Sequence, residues 1–109
     1  MKLEEKTCDA CRNAVRPLTA SEYQPLLDQL QGWRVDLGAK LKKSYKFPDF
    51  SSTLHCANQI GELAEQEGHH PDLLIRWGEL VIELWTHKVN GLTESDFVLA
   101  AKIDSLLSR

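Results

Sequence analysis

The chain predicts an α+β fold: a two-layer sandwich in the order α-β-β-α-β-β-α, with a four-stranded antiparallel-type sheet and three helices on one face. Three observations predict it. Two capping boxes open amphipathic segments, a long central segment runs from an Asp cap to a Gly stop, and two pairs of apolar runs are each divided by glycine. With 109 residues, 42% of them hydrophobic and 27% charged, the chain has material for one core and no second domain. So short a chain buries a four-stranded sheet only if its helices gather on one side.

Residues 1–17 form a leader closed by Pro17, and residues 18–109 form the folded domain. In Thr19-Ala20-Ser21-Glu22, Thr19 accepts from the N3 amide and Glu22 reaches back to the Thr19 N–H, with Leu18 and Tyr23 as the hydrophobic staple. Tyr23, Leu26, Leu27 and Leu30 then recur on one helical face until Gly32. Two short strands follow, Trp33 to Val35 and Leu41 to Phe47, joined around Gly38; in the second, Leu41, Tyr45 and Phe47 alternate with Lys42, Ser44 and Lys46. Asp49 caps the central helix, whose expected buried stripe is Phe50, Leu54, Ala57, Gly61 and Ala64, and Gly68 supplies a left-handed stop. A second hairpin is expected from Leu73 to Trp77 and Leu80 to Thr86. The box Thr93-Glu94-Ser95-Asp96 opens the last helix, with Leu99, Ile103 and Leu106 facing the sheet.

Several classes of function are disfavoured. A formal net charge of -3 gives no global basic field for a phosphate backbone, despite the local run Lys40, Lys42, Lys43 and Lys46, so no nucleic-acid partner is expected. No apolar stretch approaches a membrane span, and Met1 to Lys6 lacks the apolar core of a signal peptide; a cytoplasmic location is the expectation. The three cysteines, Cys8, Cys11 and Cys56, are an odd number and read as reduced thiols. Cys8-Asp9-Ala10-Cys11 is a C-x-x-C, but it has no second ligand pair for zinc and no strand-to-helix setting for redox work, so an arm is the simpler reading. Cys56 is expected to pack as a small hydrophobe, and His55 to be structural.

The chemistry concentrates between Glu65 and Asp96. Three of the four histidines, His69, His70 and His87, lie in this stretch, and imidazole both gives and takes protons near neutral pH. In the last strand Leu80, Ile82 and Leu84 share one parity while Val81, Glu83, Trp85 and His87 share the other, which sets His87 and Trp85 on the less apolar surface. Bare strand edges and the open sheet face point to a homo-oligomer. Trp33, Trp77 and Trp85 are expected in the core or at an interface.

The pattern Glu65-x-x-x-His69-His70-Pro71, then Thr86-His87, then Gly91-Leu92-Thr93-x-x-Asp96 resembles the pterin-4a-carbinolamine dehydratases, also called 4a-hydroxytetrahydrobiopterin dehydratases. The resemblance covers roughly residues 18–107, and the Cys8-x-x-Cys11-Arg12 leader resembles bacterial members. It implies loss of water from a 4a-hydroxytetrahydropterin to give quinonoid dihydropterin, recycling the cofactor of an aromatic amino acid hydroxylase, with neither metal nor organic cofactor. It also implies that His69, His70, His87 and Asp96 are catalytic, and that Gly68, Thr86, Lys88 and Glu65 join the histidines in lining the pterin. Within the trio, His69 and His87 are expected to exchange protons while His70 holds the substrate and Asp96 orients an imidazole. Asp96 is at the same time a helix-capping carboxylate, sufficient in itself to explain its position.

The sequence departs from some relatives in having Leu73 where an aromatic commonly follows Pro71, and Lys88 where animal members carry an acidic residue. A homodimer or homotetramer is implied, with phenylalanine hydroxylase as a partner. The rival readings are a non-catalytic binding or dimerisation cofactor, as animal members also are, and a metal protein built on the three histidines with Cys8 or Cys11.

Overall fold

The computed structural model describes residues 2–7 and 16–108; the Cys8-x-x-Cys11 pair lies outside them. Helix α1 spans Ala20–Leu27, strands β1 and β2 span Arg34–Asp36 and Lys40–Lys46, helix α2 spans Phe50–Glu67, strands β3 and β4 span Asp72–Ile75 and Glu79–Leu84, and helix α3 spans Glu94–Leu107. All strand pairs are antiparallel, in the sheet order β1-β2-β4-β3. The α-β-β-α-β-β-α sandwich is therefore observed. Two single 3-10 turns, Leu3–Glu5 and His87–Val89, are additional.

The core forms where the even residues of β4 meet the helices. Leu80, Ile82 and Leu84 are fully buried with Leu41 of β2, against Ala57 and Ile60 of α2 and Phe97, Leu99 and Ile103 of α3. Helix α1 packs on α3, where Tyr23 stacks on Phe97 at 6.2 Å between centroids. The opposite sheet face is mostly polar, with Leu74 opposed to Val81 on its β3 side. Register sets Lys42 against Glu83 and Lys46 against Glu79, and the pairs close at 3.3 and 2.8 Å, so this face is solvated by cross-strand ion pairs.

The α2 stripe differs from the expected one. Thr53, Ala57, Ile60 and Ala64 are its buried residues, while Phe50 and Leu54 stay exposed. The apolar arc of α2 is wider than the sheet covers, and Thr53 is drawn in because its hydroxyl donates to the carbonyls of Asp49 and Trp77. Phe50 and Leu54 join Leu74 and Ile75 of the edge strand β3, and Trp77, as exposed large apolar residues. Trp33, by contrast, is buried, and its indole N–H donates to Asp104 at 2.9 Å. Asp104 also accepts from Lys43 and from the Tyr45 hydroxyl, tying β2 to α3. Burial, reinforced by the Asp104 carboxylate, pushes the Tyr45 phenol above its ordinary range.

The leader returns to the domain at both described pieces. Leu3 is buried with α3, and Lys102 donates to the Glu4 carbonyl at 2.9 Å. Further on, the Leu18 N–H donates to the Leu92 carbonyl at 2.7 Å, and Pro17 lies so close to Gly91 that a Cβ there would sit 2.5 Å from the proline ring. Only glycine fits at 91, and the contact sets the turn between β4 and α3.

The β1–β2 hairpin contains an avoidable strain. Its Ala39 N–H donates to the Asp36 carbonyl, and the two residues between, Leu37 and Gly38, both have positive φ, 54° and 68°. Such a type I′ turn suits Asn-Gly, whereas leucine in the left-handed region costs about 1–2 kcal/mol. Leu37 is also 91% exposed, so little packing offsets this. Leu37→Asn is expected to raise stability by about 1 kcal/mol in urea denaturation; a variant of unchanged or lower stability would contradict the strain.

Candidate functional site

The site lies where α2 ends, β4 ends and α3 begins. Gly68, at φ 66°, terminates α2 in the left-handed conformation, and the N–H groups of Gly68 and His69 both donate to the Ala64 carbonyl. That reversal turns the His69 side chain inward, and it is only 6% exposed. Its Nε2 lies 2.6 Å from Oδ1 of Asp96, which is 0% exposed.

Asp96 is held from several sides. The Thr93 N–H donates to Oδ2 at 2.9 Å as half of the reciprocal capping box, and the Thr86 hydroxyl donates to the same oxygen at 2.9 Å. The Thr86 and Thr93 hydroxyls are 2.9 Å apart. Since the Thr86 hydroxyl gives its proton to Asp96, it accepts from Thr93. Oδ2 thus accepts twice and Oδ1 is left facing His69; with Asp96 as a carboxylate, His69 is the donor through Nε2–H. In that arrangement Nδ1 is the ring nitrogen of His69 left to accept. One buried carboxylate thereby orients the ring of one histidine.

His70 and His87 are more exposed. His70 points to the surface, where its Nε2 lies 2.6 Å from Glu65 Oε2 on the preceding turn of α2; their side chains are 62% and 77% exposed, so the pair orients the ring without adding much stability. His87 begins the 3-10 turn after β4 rather than ending the strand itself. Its ring stacks on Trp85, centroids 4.4 Å apart and planes 26° apart.

A pocket of about 260 Å³ brings these groups together, lined by Gly68, His69, His70, Trp85, Thr86 and His87. Among the residues expected from sequence, Asp96 sits behind its wall through His69 and Thr86, Glu65 reaches it through His70, and Lys88 is exposed on the 3-10 turn outside the lining. Trp85 is the lining residue that sequence motifs leave out, although its parity with His87 already placed it on that surface. Larger clefts elsewhere, such as one of about 480 Å³ beside Lys43 and Asp104, hold no histidine. Among the described residues no three His, Cys, Asp or Glu side chains are placed to hold a metal ion, and no helix is long and apolar enough to cross a membrane.

The family model described as pterin 4 alpha carbinolamine dehydratase matches residues 16–106. The chain belongs to that family. A Rickettsia bellii protein with the provisional name pterin-4-alpha-carbinolamine dehydratase is 54% identical over 105 residues, covering 95% of this chain and 93% of that protein. A Rubrobacter xylanophilus protein with the same provisional name is 47% identical, covering 96% and 98%. Among solved structures, a transcriptional coactivator/pterin dehydratase from Brucella melitensis superposes with a TM-score of 0.77 at 35% identity, covering 84% of this chain and 98% of that one. A pterin dehydratase-like RuBisCO assembly factor of the alpha-carboxysome, at 23% identity and a TM-score of 0.59, shares the fold. The dehydratase family match spans the whole pocket and both capping boxes.

The buried network makes a direct demand on stability. Asp96→Ala would leave the His69 N–H, the Thr86 hydroxyl and the Thr93 N–H without their shared acceptor, at an expected cost of about 1–3 kcal/mol in urea denaturation. Asp96→Asn, which keeps one acceptor oxygen, is expected to cost less; equal losses would show that shape rather than hydrogen bonding is what matters.

Proposed function

We propose that this protein dehydrates a 4a-hydroxytetrahydropterin to quinonoid dihydropterin, recycling the cofactor of an aromatic amino acid hydroxylase such as phenylalanine hydroxylase. The observation that carries the reading is the buried His69–Asp96 pair opening onto a pocket that also holds His70 and His87. Water loss needs a proton delivered to the leaving oxygen on C4a and the N5 proton removed as the C4a=N5 bond forms. His69 suits the removal of the N5 proton, because its Nδ1 is free to accept it and Asp96, already bonded to Nε2, stabilises the imidazolium that results. His87 carries no carboxylate partner among the described residues and acts as the acid toward the 4a-hydroxyl. His70, tethered to Glu65, holds the ring from the rim, with Gly68 and Thr86 completing the lining. Lys88 is assigned to the pterin side chain beyond the pocket mouth.

Stopped-flow absorbance of a 4a-hydroxytetrahydropterin, generated by a hydroxylase, tests this. Wild-type protein should speed its decay, and His69→Ala or His87→Ala should each lower kcat by about 10²–10⁴, the usual range for removing a general acid or base, with His70→Ala acting mainly on KM. Spontaneous decay unchanged by wild-type protein would sink the reading and favour a non-catalytic partner-binding role. Full turnover by His87→Ala with none by His70→Ala would reverse the assignment within the trio.

We also propose that the protein functions as a homo-oligomer, a dimer or tetramer. The ion-paired part of the outer sheet face does not support this; the exposed Leu74 and Ile75 on the edge strand β3, with the exposed Phe50, Leu54 and Trp77, do. Sedimentation velocity should find a species larger than 12.4 kDa that Leu74→Glu with Ile75→Glu dissociates. A monomeric wild type overturns this proposal alone.

A further inference from the structure

The three imidazoles of the pocket are held in two ways, and the second way has no assigned role. His69 is held by Asp96 and His70 by Glu65, in each case through a ring nitrogen. The ring of His87 makes no hydrogen bond among the described residues; its one fixed contact is the face of Trp85, 4.4 Å away. Trp85 is partly buried at the margin of the core, between the fully buried Leu84 and the buried Thr86, and it also lines the pocket. Lys40 bears on the same indole, its Nζ 4.5 Å from the ring centroid. The other three lysines of β2 form ion pairs, Lys42 with Glu83, Lys43 with Asp104 and Lys46 with Glu79. Lys40 does not pair with Asp36, although the two are directly opposed across the β1–β2 ladder.

We propose that Trp85 is the positioning residue for His87, with Lys40 holding the indole in place; the proposal rests on the dehydratase reading of the same pocket. The physical reason lies in what a stack leaves free. A hydrogen bond fixes an imidazole by consuming one of its nitrogens, whereas a stacked ring is held by its π face and keeps both in-plane nitrogens uncommitted. A group that must deliver a proton and be reprotonated from solvent is better held in the second way. Lys40 restrains the indole by a cation–π contact, which uses a face of the ring and leaves its edge free to wall the pocket. The result is a surface histidine of defined orientation without a carboxylate beside it.

Two measurements on the full chain test this. The first needs no substrate: the His87 ring-proton NMR resonances, assigned with His87→Ala, should lie upfield in wild type through the indole ring current. They should move downfield in Trp85→Leu and keep an intermediate position in Trp85→Phe. The second is stopped-flow dehydration with the 4a-hydroxytetrahydropterin used above. Trp85→Leu should lower kcat by about tenfold or more with KM changed by no more than about threefold, since a displacement near 1 Å can cost about a hundredfold. Trp85→Phe should recover most of the loss, and Lys40→Met should act in the same direction more weakly. On a His87→Ala background Trp85→Leu should add little, because the two residues act as one unit.

A kcat retained by Trp85→Leu, a rise in KM alone, or additivity with His87→Ala would overturn the positioning role, as would His87 resonances unmoved in Trp85→Leu. If the stack is seen by NMR but wild-type protein does not speed the dehydration, the dehydratase reading fails, and with it the kinetic role. An active wild type with an unaffected Trp85→Leu defeats this inference alone.

Discussion

The hydrogen bonding of one buried carboxylate organises this protein. Asp96 is fully enclosed, and a carboxylate in that position is tolerable only where donors surround it. Its partners come from three separate parts of the chain: Thr93 at the start of α3, Thr86 just after β4, and His69 just past α2. Satisfying them fixes where three elements meet, and that meeting point is the back wall of the pocket. The same residue is a helix cap, a structural anchor and a support for an imidazole. Those roles do not compete, because a carboxylate has enough lone pairs for all the donors involved.

Around this anchor the fold divides its polar groups by exposure. Asp104 is the counterpart of Asp96 nearer the other end of α3, gathering Trp33, Lys43 and Tyr45. Its partners lie on the β1–β2 side, so it ties the sheet to the helix and presents no histidine to solvent. On the outer sheet face, opposed lysines and glutamates satisfy one another across β2 and β4. The pocket is where this pairing is relaxed, with His87 held by a ring face and Lys40 set on an indole instead of its cross-strand aspartate. For the proposed reaction, such neighbours would orient His87 without pairing its ring nitrogens.

Much of the architecture was legible because its signals are local. Capping boxes at Thr19 and Thr93, the Asp49 cap and the Gly68 stop depend on contacts within a turn, and all four are observed. The alternation of β4 was equally direct, since two-residue periodicity fixes which side chains share a face. The α2 stripe was less legible. Its apolar residues exceed the width of sheet available, and tertiary contacts chose Thr53 and Ile60 over Phe50 and Leu54. Parity alone carries β4 as far as His87, but the strand ends at Leu84 and His87 reaches the pocket through a 3-10 turn instead.

By itself the sequence determined the order of elements, the family motif and the set of histidines, because each is encoded by neighbours or by fixed spacings along the chain. Only the tertiary structure decided which imidazole is buried on a carboxylate, which stacks on an indole, and that Lys40 turns from Asp36 to Trp85. The reason is physical: hydrogen bonding and stacking at this site join residues such as His69 with Asp96 and Lys40 with Trp85. Their separation along the chain carries no local signal, and their encounter depends on the sheet register and on the angle at which Gly68 releases the chain from α2.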